Sequence, residues 1–417
     1  MPNARPNIIL LVVDSLRPDH LGICGYPKNT SPRIDDFARR GTLFTQAIVQ
    51  APWTLPSVAS IMTSLYPSEH GAVFPPEKGW EQKLEAGTLV PRAGEKLEAG
   101  IRTLSSVLSA GGYRTAGAFA VPFCEPAFGL DSGFQEYGRG GYFKFGEGNS
   151  FDHLCRTLVF PWLERQSSDP FFIYIHTQDV HSPYRAAALW KETLGRNESA
   201  GVPDQPRLRR LIDAYDESIR YTDQAFERLL KELSSKSLLD DTIIAVTADH
   251  GEGFMEHGRI MHGNSLYDEL LRAPLIIAGP GVPAGARVEA QVRAIDIAPT
   301  LLALAGLAPP RAMRGENLMP WMNGSRRDDL VSISQFGLLL TLRFPPWKLF
   351  AKPLALFNLA EDPGERKDVH KENSSILLQA QELLRRWTRS VAQGRQARRK
   401  AAGQDVAAML RAAGYLP

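Results

Sequence analysis

The sequence predicts an α/β protein in which a large, mostly parallel sheet is flanked by helices, with a small α+β subdomain at its C-terminal end. Three observations carry this prediction. Runs such as NIILLVV (7–13), FFIYI (171–175) and TIIAV (242–246) are apolar at every position, the pattern of strands buried on both faces. They alternate with helical segments, as parallel strands need, because each crossover requires a covering element. Several of the runs also end in an acid or a histidine, where open parallel sheets present their ligand sites.

The elements follow in order. NIILLVVD (7–14) is the first buried strand and ends in Asp14. SPRIDDFARRGTLF (31–44) is a capped helix closed by Gly41, then a short strand. TLPSVASIMTSLY (54–66) is helical, and Pro56 is tolerated because a first turn has no N–H bond to lose. Residues 74–100 carry LEAG twice among Lys, Glu and Gly, and form a surface excursion rather than a repeat array. RTLSSVLSAGGYRTAGAFA (102–120) is helix, Gly-Gly turn and strand. GRGGYFKFGEGNSF (138–151) lacks the Gly-Lys-Ser/Thr of a phosphate loop and is expected at the rim of a pocket. DPFFIYIHTQDVHSPY (169–184) is a second apolar strand, and an amphipathic helix follows over about 206–234. DTIIAVTADHGE (241–252) repeats strand then acid, APLIIAGP (273–280) is another buried strand, and AIDIAPTLLALAGL (294–307) is a helix with a Gly stop. Short strands around WKLFAK and LALFNLAEDPGE then lead to a terminal helix. The expected organisation is a catalytic α/β domain over 1–324 and a subdomain over 325–417.

Composition excludes some function classes. With 48 basic and 46 acidic residues there is no reason to expect a nucleic acid partner. The basic run RRWTRSVAQGRQARRK (385–400) is a solvated helix face. Cys24, Cys124 and Cys155 are too few and too scattered for a disulfide framework, and no Cys/His zinc spacing occurs. The N-terminal run IILLVV is too short to span a bilayer, and no secretory cleavage site accompanies it. A soluble, cytoplasmic chain without a membrane partner is therefore expected, although a processed export precursor would look the same. Oligomeric state is not legible.

The strand ends collect Asp14, Asp179 with His181, and Asp249 with His250, with His262 in the MHGNSLYDE segment further on. Each has a plain structural alternative: a helix cap, a turn or a loop histidine. Together they imply one site, because carboxylates and imidazoles that converge without a basic partner call for a divalent cation. Thr54 stands before Pro56 at a helix start. It is either an N-cap hydroxyl or a nucleophile at the positive end of a helix, where a metal would lower its pKa.

The segments PNIILLVVDSLRPDHLG, PWTLPSVASIMTSLYPSEHG, FFIYIHTQDVHSPY, VTADHGEGFMEHG, HGNSLYDELLRAPLII and AIDIAPTLLALAG, in this order, resemble the sulfatase branch of the alkaline phosphatase superfamily. The tail motifs LFNLAEDPGERKDV and LRAAGYLP resemble its C-terminal region. The resemblance implies the alkaline-phosphatase/sulfatase-like fold and a metal held by Asp14, Thr54, Asp249 and His250. It also implies histidines at the substrate's ester or leaving-group oxygen, here His181 and His262, with His176 and Asp179 as further substrate contacts.

The chain departs from that family at its nucleophile. Sulfatases carry Cys or Ser in C/S-x-P-x-R, oxidised to formylglycine, whereas residues 54–58 read Thr-Leu-Pro-Ser-Val. Threonine cannot become formylglycine, and Val58 stands where the family has Arg. CEPAF (124–128) matches only in part and reads as chance. The family's acid pair after the first strand is reduced to Asp14-Ser15. The expectation is a metal-dependent hydrolase of small anionic phosphate or phosphonate mono- or diesters, with Thr54 attacking directly. Its metal would be manganese, zinc or magnesium ahead of calcium, at one site with a second conceivable. The alternatives are a sulfuric ester hydrolase working without formylglycine, and a binding protein on the same fold in which Thr54 is only a cap.

Overall fold

The computed structural model describes residues 5–75, 78–140, 150–165, 167–184, 205–325 and 329–402. In chain order its first strands are β1 (Asn7–Val13), β2 (Thr42–Ile48), β3 (Arg114–Phe119), β4 (Glu136–Arg139), β5 (Phe171–Thr177) and β6 (Thr242–Thr247). A hairpin of β7 (Gly253–Phe254) and β8 (Ile260–Met261) follows, then β9 (Arg272–Ala278), β10 (Ala286–Val288) and β11 (Val292–Arg293). The nine-stranded main sheet runs β10-β2-β9-β6-β1-β5-β3-β4, with β11 also alongside β2. At its centre β1 lies parallel between β5 and β6, every residue but Asn7 buried, as the aliphatic runs require.

β9 breaks the parallel pattern. It pairs antiparallel with both β2 and β6. Residues 248–271 contain the β7–β8 hairpin and the short helix Asp268–Leu271 instead of a covering crossover, so the chain turns straight back into the sheet. That return keeps the whole segment over the carboxyl ends of the parallel strands.

Two groups of helices flank the sheet. Helix Gln205–Ser235 packs on helix Pro32–Arg39, with Phe37 and Phe226 edge to face at 5.1 Å. Helix Thr54–Thr63, buried on every side, packs with Leu104–Ala110 and Ile297–Leu304. Its sequence TLPSVASIMT carries no charge, so it can be enclosed all round.

A separate antiparallel sheet comprises β12 (Ser332–Phe336), β13 (Leu339–Phe344), β14 (Trp347–Phe350) and β15 (Ala355–Asn358). Helix Ser374–Ala402 lies against it, with Trp387 edge-on to Tyr66 at 5.3 Å. Gln335 N–H donates to Gln50 O (2.8 Å), and Ser334 Oγ donates to Val49 O (2.6 Å). Buried Lys348 bridges Asp268 (2.7 Å) and Glu365 (2.6 Å), tying this sheet to the segment that leads into β9. Of the basic run, Arg385, Arg386 and Arg389 are exposed, while Arg395 is buried and paired with Glu98 at 2.9 Å.

Among the described residues no helix is long and apolar enough to cross a membrane. Residues 141–149 of the Gly-rich stretch and the LRAAGYLP tail lie outside the described residues.

Candidate active site

Register alone brings the strand ends together. Val12 of β1 pairs with His176 on one side and Thr247 on the other, and Asp14 N–H donates to Thr177 O (3.0 Å). Among the described residues, Asp14, His176 and Asp249 each bring a ligand atom within 4.8 Å of the others, and all three are fully buried. His250 joins them, its Nε2 lying 3.5 Å from Asp14 Oδ1 and 3.4 Å from Asp249 Oδ2. Thr54 Oγ1 is 3.4 Å from the same nitrogen.

Each acid or imidazole is held at one atom and open at another. Asp14 Oδ1 accepts from Ser15 Oγ (2.8 Å), and its Oδ2 makes no hydrogen bond. Asp249 Oδ1 accepts from the N–H groups of Ser15 (3.2 Å) and His250 (2.9 Å), and its Oδ2 makes none. His250 Nδ1 donates to Gly251 O (2.9 Å), which leaves Nε2 as a lone pair. His176 has Tyr174 Oη (2.8 Å) and Cys124 Sγ (3.2 Å) at Nδ1, and its Nε2 makes no hydrogen bond. The turn after β1 is braced from behind. Ser15 adopts φ 63°, and Tyr215 Oη donates to its carbonyl (2.8 Å) while accepting from Arg17 N–H (2.8 Å).

Burial and the facing Asp249 carboxylate push Asp14 up to about 7. Burial also acts to raise Asp249, but His250, His176 and the Ser15 N–H outweigh it and hold that carboxyl below the ordinary range. Burial pushes His250 down. Two facing carboxylates that cannot both ionise freely are a site whose charge a cation would balance.

The structure settles how the Thr54 hydroxyl is used locally. Thr54 is the first residue of its helix, the N-cap is Trp53, and no side chain caps that end. The capping alternative for Thr54 therefore does not hold. Val58, where the family has arginine, is buried in the core.

Three histidine rings form a row. His262 stacks on His250 with centroids 4.2 Å apart and meets His181 edge-on at 4.8 Å. Glu252, fully buried, accepts from His262 Nδ1 (3.2 Å). Burial and neighbouring His181 push His262 down to about 3. Burial pushes Glu252 up to about 7. The β7–β8 hairpin delivers His262, and Gly263 N–H donates to Pro52 O (2.8 Å), fixing it beside helix Thr54–Thr63.

Two placements differ from the expectations. Asp179 does not face the group. Its oxygens accept from Ser150 N–H (2.6 Å), Phe151 N–H (3.0 Å) and Thr177 Oγ1 (2.8 Å), so it caps the helix at Ser150. His176 sits inside the ligand group, not on the substrate side of it, because β5 is the immediate neighbour of β1. Glu252 and Ser15 were not anticipated, although their places directly beside His250 and Asp14 were the available signal. A cleft of about 1380 Å³ beside Asn7, Arg114 and Pro170 lies at the opposite, amino-terminal ends of the strands and is lined by none of these side chains.

The residues fit a divalent ion. Ligand atoms on a tetrahedral ion with bonds of about 2.0–2.1 Å stand roughly 3.3 Å apart. The 3.4 Å from His250 Nε2 to the open Asp249 Oδ2 matches that spacing, His250 Nε2 is 3.5 Å from Asp14 Oδ1, and Asp14 Oδ2 has no other partner.

A helix-flanked α/β sheet gathers two carboxylates and two imidazoles at its strand ends, beside the Thr54 hydroxyl at a helix start, and this fold and site are those of an ester hydrolase. The family model described as Sulfatase matches residues 6–307, and the chain belongs to the sulfatase family. It is 24% identical to a Delta 4,5-hexuronate-2-O-sulfatase of Bacteroides thetaiotaomicron, over 91% of this chain and 88% of that one. It is 26% identical to the N-acetylglucosamine-6-sulfatase of Homo sapiens, over 81% and 69% respectively. A solved phosphonate monoester hydrolase of Agrobacterium radiobacter superposes with a TM-score of 0.74 at 20% identity, over 93% of this chain and 96% of that one.

Proposed function

We propose that this sulfatase-family hydrolase cleaves phosphate or phosphonate mono- or diesters with Thr54 as nucleophile. The observation that carries the reading is the Thr54 hydroxyl, which caps nothing and lies 3.4 Å from His250 Nε2 at the edge of the buried acid–imidazole group. Asp14, His176, Asp249 and His250 would hold the divalent ion, whose positive charge supplies a lower hydroxyl pKa and stabilisation of the developing anion.

Thr54 Oγ1 gives up its proton to solvent and forms a bond to phosphorus as the bond to the leaving oxygen breaks, and His181 gives that oxygen its proton. Water then attacks the threonyl phosphate from the side the leaving group has vacated, the bond from phosphorus to Thr54 Oγ1 breaks, and Oγ1 takes a proton back from solvent. His262, held neutral by burial and oriented by Glu252, is placed to take the water's proton. Phosphorus is favoured over sulfur because a threonyl ester has no hemiacetal route of release, so its second half-reaction must be an in-line hydrolysis. The anionic substrate also meets the positive end of helix Thr54–Thr63.

The second reading is sulfuric ester hydrolysis by the same residues, favoured by the names of the relatives. Hydrolysis of matched p-nitrophenyl sulfate, phosphate and phosphodiester, each with manganese, zinc, calcium or chelator, separates the two. A phosphodiester or phosphonate preference that Thr54→Ala abolishes supports the proposal. Turnover confined to the sulfate overturns it in favour of the second reading.

A further inference from the structure

We propose that His176 is a metal ligand in this chain, making the centre a mixed nitrogen–oxygen site that takes zinc or cobalt in preference to calcium. The acid pair of the resembled family is reduced here to Asp14-Ser15, and the Ser15 hydroxyl is spent on Asp14 Oδ1. A donor arrives instead from the neighbouring strand. His176 Nε2 is fully buried, makes no hydrogen bond, and stops 3.6 Å from Asp249 Oδ2. That separation is too long for a hydrogen bond and close to the spacing of two ligands on one small ion.

An imidazole placed only for packing would not leave a polar nitrogen bare against an equally bare carboxylate oxygen, since each such group costs about 1–3 kcal/mol. The rest of the ring is fixed for ligation. Tyr174 Oη and Cys124 Sγ both lie at Nδ1 (2.8 and 3.2 Å) and hold the ring, and Tyr174 Oη can accept from Nδ1–H in the tautomer that a metal at Nε2 requires. Tyr174 and Cys124 are positioning residues that act through His176. With His250 Nε2 on the other side, the donors are two carboxylate oxygens and two imidazole nitrogens. Calcium prefers about six to eight oxygens, whereas a compact N/O set suits zinc and cobalt. This inference does not depend on which ester is cleaved.

The test is metal binding by the full-length protein after chelator stripping. Calorimetry would follow zinc, cobalt and calcium, and X-ray absorption would count imidazole scatterers on the zinc-loaded protein. The expected results are one equivalent of zinc or cobalt bound at least about 100-fold tighter than calcium, and two imidazoles at the zinc. His176→Ala should leave one imidazole and weaken cobalt binding beyond the about 10–100-fold expected for Tyr174→Phe, which removes only an outer partner. Calcium binding as tight as zinc overturns the inference, and so does a single imidazole in the wild-type spectrum. Because both measurements need only the wild-type protein, a His176→Ala variant that fails to fold leaves the inference decidable.

Discussion

Replacing Thr54 with alanine separates a nucleophile from a helix cap, because the two roles predict opposite pairs of results. A cap would cost about 0.5–2 kcal/mol of stability when removed. Here the N-cap is Trp53 and no side-chain cap exists, so the substitution removes one buried methyl and a contact of 3.4 Å to His250. Thr54→Ala should therefore cost about 0.8 kcal/mol for the lost methyl, the same as Thr54→Ser, whereas a cap would add its own cost of about 0.5–2 kcal/mol for the alanine variant only. Loss of a covalent nucleophile should lower kcat/KM by on the order of 10⁴–10⁶, or about 5–8 kcal/mol of transition-state stabilisation. Thr54→Ser retains the hydroxyl and loses one buried methyl, about 0.8 kcal/mol of packing, and should stay within about tenfold of wild type. Denaturant unfolding and p-nitrophenyl ester turnover, measured on the same preparations, provide both readouts. Metal-dependent turnover kept by Thr54→Ala, with stability lost on the scale of a cap, would refute the reasoning.

Other outcomes follow from the same geometry. Removing the ion should make stability fall with rising pH. The folded pKa of Asp14, about 7, lies above its unfolded value, so its contribution is full below about pH 4 and is lost as pH rises through 7. Thermal unfolding of chelated and zinc-loaded protein from pH 5 to 8 checks this, and zinc at about 100 times its Kd should restore about 2.7 kcal/mol. Glu252→Ala should depress kcat about 10²-fold for alkyl and p-nitrophenyl phosphodiesters alike wherever hydrolysis of the shared threonyl phosphate limits turnover, because it loosens the histidine that takes the water's proton; paired kcat measurements decide. Asp216 accepts from Tyr26 Oη (2.8 Å) and Lys28 Nζ (2.7 Å) and pairs with His20 Nδ1 (2.8 Å). Burial opposes these contacts, but they hold its carboxyl low, so the stability it contributes is present above about pH 4 and is lost as pH falls through the folded value. Asp216→Asn should accordingly flatten the acid limb of a stability–pH curve. Lys348→Met should cost about 3–5 kcal/mol in denaturant unfolding, since it strands Asp268 and Glu365 without their buried partner.

Much of the fold was legible in the sequence because its signals are local. Apolar runs of strand length, Gly stops and the Pro56 helix start depend on residues adjacent in the chain, and those elements appear where they were expected, although helices Thr54–Thr63 and Ile297–Leu304 are shorter than the stretches 54–66 and 294–307. The direction of β9 was not legible. An apolar heptapeptide buried on both faces looks the same whether it runs parallel or antiparallel, and only the missing crossover decides. The gathering of Asp14, Asp249 and His250 at one edge followed from a general property of parallel sheets. Which side-chain atoms face the group depends on register and on hydrogen bonds between residues far apart in sequence. The sequence by itself therefore determined the strands, the acids and histidines at their ends, and a hydroxyl where the resembled family has its formylglycine precursor. Tertiary structure alone decided that His176 enters beside Asp249 while Asp179 leaves to cap a helix. The physical reason is that β5 pairs with β1 and puts His176 level with Val12, whereas the N–H groups of Ser150 and Phe151 claim the Asp179 carboxylate.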